Sequence, residues 1–65
     1  MHTVAIHNIH PPIRGVTTVE VVELCPNCYD LFDQAGNCID PDGEWLDYKP
    51  TATQVHALVM ANVAH

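Results

Sequence analysis

Cys25-Pro26-Asn27-Cys28 follows directly on the most strand-like run of the sequence, Val16 to Leu24, and Cys38 completes the cysteines of a 65-residue chain. A chain this short buries only about 60% of the surface its unfolded form exposes. Its core rarely supplies more than roughly 3–5 kcal/mol, so a staple is expected: a metal, disulfides or oligomerisation. How these three sulfurs are used therefore constrains the fold more than any other feature.

The flanking patterns suggest one small α+β domain over residues 1–65, with antiparallel strands and hairpins and one C-terminal helix. Residues 16–24, VTTVEVVEL, are rich in β-branched side chains and free of Gly and Pro. On a strand Val19 and Val21 share a face with Thr17 and Glu23, while Thr18, Glu20, Val22 and Leu24 share the other. Residues 3–9, TVAIHNI, alternate more weakly and predict a short strand, with Pro11-Pro12 marking a connector or an edge. Residues 29–36, YDLFDQAG, fit two periods. Tyr29, Phe32 and Ala35 make a helical stripe, whereas Tyr29, Leu31 and Asp33 make a strand face. Asp40-Pro41-Asp42-Gly43 has turn chemistry and predicts a hairpin between Cys38-Ile39 and Trp45-Leu46. Thr51 and Gln54 fit a capping box, after which Val55, Leu58, Val59 and Val63 recur as an apolar helical stripe.

Zinc takes four tetrahedral ligands from Cys and His. Two thiolates three positions apart in a tight turn can converge on one ion, and Cys38 lies far enough on for the chain to go out and return. Cys25, Cys28 and Cys38 are thus candidate Zn2+ ligands. His56, at the margin of the helical stripe, is the first choice for the fourth place, ahead of His10, His7 and Asp40. The Cys-Pro-x-Cys knuckle and the order strand, knuckle, hairpin, helix resemble a zinc-ribbon or treble-clef module over roughly residues 18 to 60. Neither family's second ligand pair is present, since Cys38 has no Cys or His two or three residues on. Such a site would be structural, because three thiolates and an imidazole leave no open position.

Two alternatives use the same cysteines. Cys25-Pro26-Asn27-Cys28 also looks like a glutaredoxin-type dithiol, in which a helix start lowers the pKa of the first cysteine. Cysteine can also serve as a small buried hydrophobe.

Charge narrows the partner. Eight acids face two bases for a net charge of −6. Six of the acids fall between Asp30 and Asp47. Nucleic-acid affinity rests largely on phosphate neutralisation, so direct nucleic-acid binding is not expected of this chain, nor is binding to an anionic membrane. A basic protein surface is the better electrostatic partner. The acidic turn with Asp40, Asp42, Glu44 and Trp45 is the expected contact, in a non-enzymatic interaction module. A phage-type inhibitor that mimics phosphate charge on a basic surface is the alternative of the same chemistry. No stretch has the ~20 apolar residues of a membrane span, and the first residues lack a signal-peptide pattern. A cytoplasmic protein is expected, with homo-oligomerisation as a further way to stabilise so short a chain.

Overall fold

Val19 and Val21 have no exposed surface, and the strand that carries them organises the fold. The computed structural model describes residues 1–63 apart from Asp42 and Glu44. Strands β1 (His2–Ile13), β2 (Val16–Cys25) and β3 (Cys28–Asp33) form an antiparallel sheet in the order β1-β2-β3, followed by helix α1 (Ala52–Val63). The expected α+β arrangement of a small antiparallel sheet and a C-terminal helix is therefore found.

Register explains which face is covered. Ala5 pairs with Val21, and Val21 with Leu31, while His7 and Asp33 flank Val19. Strand alternation places these residues on one face. Val55 and Val59 of α1 join Val19, Val21, Leu31, Ile9, Val16 and Ile39 in one core against it. Among the described residues six of the nine buried hydrophobics are valine. The core is thin for that reason, because each valine buries less apolar area than leucine or phenylalanine.

The connections follow from local chemistry. Arg14 (φ 46°) and Gly15 (φ 83°) both take positive φ between the paired residues Ile13 and Val16. That is a two-residue type I′ hairpin, the turn whose twist suits flanking strands. Gln34 braces it from the end of β3, donating to the Gly15 carbonyl (2.7 Å) and accepting from the Thr17 N–H (3.1 Å). β1 runs further than the sequence suggests, through a cis His10–Pro11 bond and Pro12. Proline is tolerated there because β1 is an edge strand. At α1 the capping box forms as expected: the Thr51 N–H donates to Gln54 Oε1 (2.9 Å) and the Gln54 N–H to Thr51 Oγ1 (3.2 Å).

The hairpin expected between Cys38-Ile39 and Trp45-Leu46 is replaced by pairing to β3. Cys38 bridges to Phe32 and Leu46 to Tyr29. The Ile39 N–H donates to the Leu31 carbonyl (3.0 Å), and Tyr29 and Leu46 exchange both backbone bonds (2.8 Å each). A hairpin with two-residue arms would have left the outer N–H and C=O groups of β3 unpaired, and backbone groups demand partners. Pairing to β3 satisfies them.

Candidate functional site

Two places on the molecule carry its chemistry: the tip of the β2–β3 hairpin and the loop carried on the outer edge of β3. At the tip, Cys25 and Cys28 are paired across the ladder with Cα atoms 5.0 Å apart and are joined as a disulfide. Pro26 fixes φ near −65° at the second turn position, and Asn27 takes φ 63° at the third. Together they describe a type II turn. Such a turn splays hairpin strands, and the register shift between Glu23 and Cys25 lies directly beside it. Cys25, Pro26 and Asn27 are exposed, whereas Cys28 is half-buried.

Cys38 is not part of this tip. It faces Phe32, four positions along β3 from Cys28, which at ~3.3 Å per residue is about 13 Å away. Its thiol donates to Asp30 Oδ1 (3.4 Å). Burial pushes the Cys38 pKa up, helped by the hydrogen bond to Asp30 and the charges of Asp30 and Asp40, with a backbone hydrogen bond at Asp40 opposing.

The expected zinc ligands are not brought together. Cys25 and Cys28 are bonded to each other, Cys38 lies up the strand, and His56 is exposed on α1 beside the buried stripe. Of the other candidates, His10 is exposed at the cis bond, His7 sits opposite Val19, and Asp40 is half-buried at the loop. Among the described residues no group of three or more His, Cys, Asp and Glu side chains could hold a metal ion. The zinc-ribbon and treble-clef resemblance is thereby overturned. The Cys-Pro-x-Cys turn closes a hairpin, and the chain beyond it continues as a strand where those modules return a second ligand pair to the knuckle. The geometry also differs from that of a glutaredoxin-type dithiol, because Cys25 ends a strand and no helix N-terminus follows it.

The second place is the segment from Asp40 to Tyr48. It is tied at one end by Ile39 to Leu31 and at the other by Leu46 to Tyr29. Within it the Gly43 N–H donates to the Asp40 carbonyl (3.2 Å), so the expected turn forms. A Cβ at position 43 would meet the Asp40 carboxylate, so a larger residue there would require that side chain to turn away. Trp45 is 61% exposed and Tyr48 43% exposed. Asp47 and Lys49 are exposed beside them. The contact residues expected at Asp42 and Glu44 lie outside the described residues.

Sequence reasoning did not single out Tyr48, which the structure exposes three residues from Trp45. It also missed Asp30, whose bond to Cys38 depends on the pairing to β3. A cleft between β3 and α1 is lined by Leu31, Ile39, Leu46 and Leu58 with Asp30 and Asp40, and holds only about 30 Å³. That is the space of a water molecule, far below the ~300 Å³ and more of metabolite sites. Among the described residues no helix is long and apolar enough to cross a membrane.

No family of known proteins, no curated protein and no solved structure matches the chain.

Proposed function

We propose that the chain is a non-enzymatic binding module that takes a basic protein surface through the loop from Asp40 to Tyr48. The observation that carries this reading is the exposure of Trp45 on a stretch anchored to β3 at Ile39 and Leu46. An exposed tryptophan on a braced support is already ordered before binding, so little entropy is lost on contact, and tryptophan is among the residues that dominate binding energy. Asp40 and Asp47 flank it, in a chain of net charge −6. A cationic partner is thereby favoured and a polyanion disfavoured.

The test uses a synthetic Arg- and Lys-rich peptide as probe. Trp45 is the only tryptophan, so its fluorescence reports contact directly. A saturable change that weakens with added salt is expected. Calorimetry should then show binding lost when Asp40, Asp42 and Glu44 are each changed to Lys. Removing a central tryptophan costs about 2 kcal/mol or more, roughly 30-fold in affinity, in Trp45→Ala. Unchanged binding in the charge-reversed variant would end this reading.

A further inference from the structure

We propose that the Cys25–Cys28 disulfide is a reversible thiol–disulfide exchange site, opened by a dithiol reductant that attacks at Cys25. This inference is independent of the binding reading above. Four observations carry it. First, the two sulfurs sit at a hairpin tip whose turn residues, Pro26 and Asn27, are both exposed, so an incoming thiolate meets no covering segment among the described residues. Disulfides that solvent reaches are the labile, regulatory kind, in contrast to those sealed in a core. Second, the two sulfurs are unequal, because Cys25 is exposed and Cys28 half-buried. Access therefore selects Cys25 as the sulfur attacked and Cys28 as the leaving group.

Third, the hairpin does not depend on the bond. The ladder pairs Glu23 with Tyr29 and Val22 with Asp30 immediately behind the tip, and Tyr29 is held from its other side by Leu46. The turn is set by Pro26 and Asn27. Both redox forms can thus keep the same sheet, which a reversible site requires. Fourth, Cys38 is set apart from the exchange. It lies about 13 Å up the strand by its register, and its thiol is engaged with Asp30.

The reaction balances as follows. One thiolate of the reductant attacks Cys25 Sγ, the Cys25–Cys28 bond breaks, and Cys28 leaves as a thiolate that takes a proton from water. The reductant's second thiol, losing its proton, attacks its own sulfur in the mixed disulfide and releases Cys25 as a thiolate, which takes up a proton in turn. The chain gains two electrons and two protons, and the reductant becomes a disulfide.

The experiment treats the full chain with dithiothreitol in native buffer, quenches with N-ethylmaleimide, and maps the label by mass spectrometry. Before reduction, label is expected at Cys38 alone. After reduction it is expected also at Cys25 and Cys28, with the circular dichroism unchanged, and oxidised dithiothreitol should restore the starting state. Oxidised glutathione then tests the assignment of the two sulfurs. The Cys28→Ser variant should collect a stable glutathione adduct at Cys25 several-fold faster than Cys25→Ser collects one at Cys28. Three results would overturn the proposal: label on Cys25 and Cys28 even after oxidation, reduction that needs denaturant, or an adduct forming as fast at Cys28 as at Cys25. The first two are read on the unmodified chain and do not depend on either variant folding.

Discussion

Val19 and Val59 are both fully buried in the same core, one on the central strand and one on the helix. Truncating either to alanine removes two methyl groups. At ~0.8 kcal/mol per buried carbon the transfer loss is about 1.6 kcal/mol. A residual cavity of up to ~50 Å³, at ~24 cal/mol per Å³, adds as much as about 1.2 kcal/mol. Packing alone would make the two variants equal. The backbone separates them. Alanine is the better helix former, which returns about 0.6 kcal/mol at position 59. Alanine is the poorer strand former, which takes up to ~1 kcal/mol at position 19. Val59→Ala should therefore cost about 1–2 kcal/mol and Val19→Ala about 2–4 kcal/mol. Against a total of roughly 3–5 kcal/mol for a domain of this size, Val19→Ala stands at the edge of folding. Urea unfolding followed by far-ultraviolet circular dichroism measures both. Trp45 fluorescence would serve poorly, because that side chain is already exposed. With unchanged urea dependence, the midpoint of Val19→Ala should fall well below that of Val59→Ala. The melting temperatures should differ by roughly 5–10 °C. Equal midpoints, or a lower one for Val59→Ala, would refute the argument that secondary structure divides two equal core truncations.

Asn27 tests the turn: with φ 63°, Asn27→Ala should cost about 1 kcal/mol and Asn27→Gly close to nothing, read by the same unfolding curves. The Cys25→Ser/Cys28→Ser double variant should lose no more than about 2 kcal/mol, because loop closure over a sequence separation of 3 removes little chain entropy. Its far-ultraviolet spectrum should stay native. Cys38 carries a pH signature: its folded pKa lies above the ordinary thiol value, so the folded state favours the protonated form. Its contribution to stability is complete below the unfolded pKa and is lost as pH rises through the folded one. Alkylation of Cys38 at mildly alkaline pH should accordingly lag behind that of a free cysteine peptide, and Asp30→Asn should narrow the gap.

What could be read from the sequence was what is settled within one turn or one strand. Alternation grouped Val19 and Val21 on one face of β2 but did not say which face would be buried; the structure buries both residues completely. Thr51 and Gln54 declared the start of α1 because the capping bonds span only three residues. The edge of β3 was hidden, since Leu46 reaches Tyr29 across seventeen positions and nothing local to either announces it. The cysteines fell between these cases. A two-residue turn with proline second and a left-handed residue third places two sulfurs side by side, and that placement suits a disulfide and a metal equally. The choice was made elsewhere, in residues 29–36, which fit both a helical stripe and a strand and of which 29–33 lie in β3. As a strand they alternate Tyr29, Leu31 and Asp33 against β2, and each added residue carries the chain ~3.3 Å from the tip. Cys38, returning beside Phe32, is then out of reach of Cys25 and Cys28 whatever the loop before it contains. The strand period of residues 29–33, more than the spacing of the cysteines themselves, sets two of the sulfurs side by side and leaves the third beside Asp30.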